Sequence, residues 1–198
     1  MEYFYLASLG GGSIAVACPP ENTPPAYLLA DAQIGKNKLP FDLALKNIVF
    51  DKNGSKELDN LQSLKHIWLD YQPNCLAWPI FSDKLADILS SNASPEADIN
   101  WIDVTINKGT EESRKYHILR FNSQQEVLNR EESLFSGSSL DFLVRPVFAR
   151  ESIKDLALFC SLYTFPTITG SLYVNSAIKL AIRAAKLSGV IFEYARVL

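Results

Sequence analysis

The chain has 198 residues, of which 47% are hydrophobic and 21% charged, and a formal net charge of -3. At that length folding buries roughly 70% of the extended chain's surface, and the composition excludes a disordered chain. The negative balance leaves no overall basic field to hold a nucleic-acid backbone.

No apolar run approaches the roughly 20 residues of a membrane-spanning helix. Glu2 stands where a secretory signal carries positive charge, and Gly10 to Gly12 interrupt the apolar start, so the N-terminus reads as that of a mature chain. Tyr3 to Ala7, Ser13 to Cys18 and Ala26 to Ala30 are short apolar runs separated by Gly and Pro clusters, which predicts three strands. Pro19, Pro20, Pro24 and Pro25 cannot donate ladder hydrogen bonds and place a loop before the third. Asn53-Gly54 predicts a tight turn, Leu58, Leu61 and Leu64 a helical turn, and His66 to Tyr71 a further strand.

The second half is more regular. Ser82 is placed to cap a helix starting at Asp83, with Leu85, Ile88 and Leu89 on one face. Ile102, Val104 and Ile106 alternate along a strand, with Trp101 on its opposite side, and Tyr116 to Phe121 continue the sheet beyond a turn at Gly109. Two more extended pieces flank a turn at Ser152, three residues before Asp155 as in a capping box. The segment "SLYVNSAIKLAIRAAKLSGVIFEY" then predicts a strand, a helix capped by Asn175 or Ser176 with Ile178, Ala181, Ile182 and Ala185 on one stripe, a left-handed stop at Gly189, and a closing strand. Many strands and few, irregularly placed helices give an α+β fold with a mostly antiparallel or mixed sheet. A boundary near Pro73 to Pro79 divides it into a β-rich part, 1–75, and an α+β part, 76–198, sharing one core.

Cys18, Cys75 and Cys160 are odd in number and widely spaced among apolar residues, which predicts buried, reduced thiols in a cytoplasmic protein. No HExxH, CxxC or G-x-S-x-G spacing is present, and Leu9 to Ser13 lacks the Gly-Lys-Ser/Thr of a nucleotide loop. The expectation is therefore a protein without catalytic residues, metal or cofactor. His66 and His117 are the two histidines, and both read as packed side chains. Lys179, Arg183 and Lys186 line the polar side of the last helix, where a solvated face accounts for them. Asp83, Asp87, Glu96, Asp98 and Asp103 stand against Lys84 alone, and of these Asp98 and Asp103 are the candidates for meeting a basic partner surface.

Three segments carry a family resemblance: Trp78, Pro79, Phe81 and Ser82; Tyr116 and Leu119 with Leu128, Glu131 and Ser133; and Val174, Ala181, Ile182, Leu187, Gly189 and Phe192. In these the chain resembles the bacterial polymorphic-toxin immunity proteins of the Imm43 and Imm11 groups. Asn175 and Ser188 depart from the Ser and Thr common there, and Leu158 to Leu162 lacks an Arg that commonly follows Phe. The resemblance implies a cytoplasmic protein that binds a cognate toxin domain and occludes its active site without catalysing anything. The alternative is a small-molecule-binding protein or enzyme with a pocket between the two halves, which predicts a carboxylate approaching His66 or His117 in a concave site.

Overall fold

The computed structural model describes residues 1–31, 38–51, 54–58, 60–137, 142–161 and 168–198. The fold is α+β. Strands β1 (Tyr3–Ser8), β10 (Leu158–Cys160), β11 (Leu172–Asn175) and β12 (Val190–Tyr194) form an antiparallel sheet ordered β10-β11-β1-β12. The first strand of the chain thus lies between two of the last. A second, mixed sheet has the order β2-β3-β6-β7-β5, from β2 (Val16–Cys18), β3 (Leu43–Asp51), β6 (Ile99–Lys108), β7 (Glu112–Phe121) and β5 (Ile80–Phe81). Its β3–β6 pair is parallel, and β4 (Gly54–Leu58) extends β3 as a hairpin. Strands from both sides of residue 75 therefore pair within each sheet. A separate hairpin joins β8 (Leu134–Ser136) to β9 (Phe142–Arg145).

Helices α2 (Asp83–Asn92) and α4 (Ser176–Ala184) pack together between the sheets. Phe4 and Leu6 of β1, Leu172 and Val174 of β11, Leu85 and Leu89 of α2, Leu119 and Phe121 of β7, and Ile178 and Ile182 of α4 share one buried cluster. Each such aliphatic side chain contributes about 2 kcal/mol relative to exposure. The alternate face of β1 carries Tyr3, which joins Phe148, Phe159 and Tyr173 in an aromatic cluster on the far side. Ile102, Val104 and Ile106 enter a third cluster with Leu43, Leu45, Trp78 and Ile118, as their alternation predicts.

Ser82 caps α2 by accepting from Leu85 N–H, and Asn175 caps α4 by accepting from Ile178 N–H at 3.0 Å. The strands predicted at Tyr3 to Ala7, Ile102 to Ile106 and Tyr116 to Phe121 are all present, and a single 3-10 turn at Leu61–Ser63 stands where a helical turn is expected. Asn53 of the expected turn lies outside the described residues.

Five local expectations are corrected. Ala26–Asp31 is a short helix, α1, rather than a strand: Leu28 and Leu29 N–H both donate to Pro25 O, and proline's fixed φ suits the first helical turn. Residues 66–71 form no strand, because Leu69 N–H donates to Gln72 Oε1, Asp70 N–H to Ser188 Oγ, and Tyr71 N–H to Ser188 O instead of to a neighbouring ladder. Ser152 lies inside α3 (Arg150–Ile153) and caps nothing; the N-cap position is Ala149. The left-handed residue ending α4 is Lys186, with φ 53°, and Leu187 N–H closes the turn onto Ile182 O. Finally, Cys18 and Cys75 are not separate thiols: they form a disulfide, with Cα atoms 5.1 Å apart, because β2 runs beside residues 73–75 and Cys75 N–H donates to Ala17 O. Cys160 is buried in β10.

Gly189 has a different role from helix stop. With φ +78°, it lets the chain pass so close to residues 69–71 that a Cβ would lie 2.5 Å from Tyr71 O and 2.8 Å from Leu69 Cβ. Gly189→Ala is expected to lower stability in urea denaturation by at least about 2 kcal/mol, from strain plus a backbone clash. Gly109→Ala, also at positive φ but with nothing within 4 Å, should cost only the conformational strain of about 1 kcal/mol.

Candidate functional site

The cleft nearest the predicted chemistry lies where residues 68–70, the N-terminus of α2, the middle of β7 and the turn before β12 meet. It has a volume of about 500 Å³, and its walls include Trp68, Asp70, Ser82, Asp83, Arg114 and Tyr116. Asp70 organises it. Its Oδ1 accepts from Ser82 Oγ at 2.7 Å, and its Oδ2 accepts from the N–H and the hydroxyl of Ser188 at 2.8 and 2.7 Å. Burial by itself raises the Asp70 pKa, but the Ser188 and Ser82 donors and the charge of Lys84 outweigh it and hold the carboxyl below its ordinary value. Burial pushes the Tyr116 phenol up to about 12, and it donates to Leu69 O at 2.9 Å. Trp68 stacks on Tyr116, carries the Arg114 guanidinium 4.5 Å from its ring centroid, and donates from its indole to Glu112.

Behind this wall His117 is held between two carboxylates. Its Nε2 lies 2.6 Å from Asp83 Oδ1 and its Nδ1 3.0 Å from Asp103 Oδ1. Only the doubly protonated ring donates to both at once. Asp103 also pairs with Lys115 at 3.0 Å. His117 thus lies at the polar border of the strand face whose inner positions are Leu119 and Phe121, with a carboxylate at each ring nitrogen and Trp101 packed edge-on to its ring. His66 acts through its backbone, receiving Ala15 N–H and donating to Ser13 O.

The candidate residues Asp98 and Asp103 do not come together. They stand five positions apart at and along β6, on the order of 17 Å in an extended strand. Asp98 is exposed, with left-handed backbone, and accepts from Asn122 Nδ2 at 3.0 Å; that bond, then one from Ser123, holds its pKa down. Both carboxylates are engaged within the chain, Asp98 in closing a turn and Asp103 in holding His117 and Lys115. Trp101, on the same strand, packs edge-on to Phe81 and donates to Ser90 Oγ of α2.

Sequence patterning does not single out the two most exposed apolar surfaces. On the β8–β9 hairpin, Leu134, Phe142 and Val144 are 50%, 70% and 57% exposed, and among the described residues these strands pair only with each other. Its base is tied down: Val147 N–H donates to Ser133 Oγ, and Glu132 faces Arg196 at 3.6 Å. The second surface comprises Leu180 of α4 and Tyr194 of β12, 65% and 75% exposed. Two short apolar runs, Leu134–Phe135 and Phe142–Val144, on either side of Gly137 are the one sequence signal for the hairpin, and they do not say that an apolar side stays uncovered.

Among the described residues no group of three His, Cys, Asp or Glu side chains is arranged to hold a metal ion, and no helix is long and apolar enough to cross a membrane. In comparisons with known proteins the chain matches no family model, and no curated protein matches it.

Because the folded Asp70 carboxyl is held below its unfolded value, its stabilisation is complete above the ordinary carboxylate range and is lost as pH falls through the lowered folded pKa. Asp70→Asn should therefore cost about 1 to 2 kcal/mol near neutral pH. Urea midpoints of the two proteins should converge on acidification; a constant gap down to acid pH would show that the ionised carboxylate is not what matters.

Proposed function

We propose that the protein is a cytoplasmic immunity protein that binds the domain of a cognate bacterial toxin and blocks its active site, with no chemistry of its own. The observation that carries this reading is the β8–β9 hairpin, whose Leu134, Phe142 and Val144 stay in solvent although three apolar clusters elsewhere are tightly buried. A two-stranded hairpin is marginal by itself, and contiguous exposed apolar side chains mark interaction sites on soluble proteins. The Imm43 and Imm11 resemblance supplies the partner class. A cytoplasm keeps thiols reduced, so residues 15–17 must then be held without the Cys18–Cys75 bond. Ala17 N–H to Pro73 O and Gln72 Nε2 to Ala15 O, at 2.8 and 2.7 Å, supply that hold.

The test is co-expression with the toxin encoded beside this gene. The expected result is a one-to-one complex and survival of the cells. Phe142→Asp with Val144→Asp should leave the unfolding free energy from urea denaturation within about 0.5 kcal/mol of wild type, as exposed substitutions do, and abolish protection. Death of cells that contain the folded wild-type protein would refute the reading.

A second reading, small-molecule binding or catalysis, is favoured by one observation: two carboxylates approach His117 beside a concave site. The two readings part at His117→Gln. Occlusion of a toxin survives that change, whereas a site that uses the imidazole loses its activity while the fold persists.

A further inference from the structure

Helix α4 carries Lys179 and Arg183 at i and i+4 on one stripe, and Lys186 follows in the left-handed turn that ends the helix. Eight ion pairs occur elsewhere among the described residues, yet none includes these three cations. Lys179 and Arg183 meet aromatic rings instead. Lys179 Nζ lies 3.3 Å from the Phe4 centroid, 5.4 Å from that of Tyr194 and 5.9 Å from that of Phe192, and the Arg183 guanidinium lies 5.8 Å from Phe192. A ring face orients a cation without neutralising it, so the field of the stripe remains available to a partner.

The neighbouring acids do not cancel it. Glu193 alternates with Phe192 and Tyr194 and stands opposite Tyr5 of β1, whereas Tyr194 stands opposite Phe4, which places Glu193 on the other face of the sheet. Glu2 is beside the other end of α4, where its carbonyl accepts from Ser176. Around the stripe, Leu180 and Tyr194 add exposed apolar and aromatic area, and Tyr and Arg are the residue types that most often anchor interfaces. By contrast, Asp103 is already paired within the chain and Asp98 is committed to a turn.

We propose that the face formed by α4 and β12 docks an acidic surface of the partner protein, with Arg183 and Lys186 supplying the charge and Leu180 and Tyr194 the contact area. This rests on the immunity reading and reverses the partner charge that the acidic segment around Asp98 and Asp103 suggests. A protein partner is favoured over nucleic acid because a net-negative chain lacks the extended basic field that a phosphate backbone requires, and Leu180 and Tyr194 give the face apolar and aromatic contact area of the kind protein interfaces use. Arg196, in the segment after β12, pairs with Glu132 at the hairpin base.

The experiment measures association of the toxin domain encoded beside this gene with the wild-type chain, with Arg183→Glu/Lys186→Glu, and with Arg183→Ala/Lys186→Ala in case reversal perturbs the helix end. The expected result is an association rate that falls roughly tenfold or more on reversal, less on neutralisation, and a weakened salt dependence in both. A toxin variant with a surface carboxylate changed to lysine should restore binding to the reversed protein. An unchanged rate and salt dependence, with the complex intact, would overturn this face and leave the immunity reading standing. Absence of any complex with wild type would overturn both. Binding of a labelled DNA or RNA oligonucleotide at physiological salt, lost on reversal, would overturn the acidic-protein assignment in favour of nucleic acid.

Discussion

Asp70 joins three parts of the chain that local structure alone would leave apart. Its carboxylate accepts from the residue that caps α2 and from both donors of Ser188, while its backbone N–H returns to Ser188 Oγ and its carbonyl accepts from Ser82 N–H. One ionised group therefore sets the angle at which α2 leaves β5 and the path by which the chain leaves α4 for β12. A charged acceptor with three donors is stronger than neutral bonds and carries more geometric information. Because both helices fill the space between the two sheets, the layer arrangement depends on this constraint.

Around it, the close approach at Gly189 and the central place of β1 complete the frame. β1 pairs with β11 on one side and β12 on the other, so the N-terminal strand cannot leave without opening the C-terminal sheet. Phe4 on that strand forms the floor under Lys179, which means that the same residue closes the core and presents a cation at the surface. Stability and the proposed docking face are thus built from shared side chains. The hairpin, which contributes little to the packed clusters, is the part of the structure whose shape is best explained by something outside it.

Charge was the least legible feature. A run of five acids reads as an electrostatic surface, but contacts with Asn122, Lys115 and His117 occupy three of them, Asp98, Asp103 and Asp83. The basic stripe on α4 reads as an ordinary solvated face, and only its aromatic neighbours and the lack of ion pairs among the described residues set it apart. Linear sequence reports which charges exist; their partners come from strands distant in the chain. His117 shows the same limit, since its carboxylates stand 34 and 14 residues away.

Local chemistry determined the elements wherever a residue's own neighbours satisfy its backbone. Ser82 and Asn175 cap helices with adjacent N–H groups, and Ile102, Val104 and Ile106 alternate because a strand has period two. Those features, with the C-terminal strand, helix and strand, could be read directly. The tertiary structure decided what depends on long-range partners: the course of residues 66–71, which bridges other segments only at His66 and Tyr71 while the donors of residues 69–71 go to Gln72 and Ser188, the meeting of Cys18 with Cys75, and the exposure of Phe142 and Val144. A backbone donor, a thiol or an apolar face is satisfied only by what the folded chain brings beside it, and that proximity has no counterpart in sequence spacing.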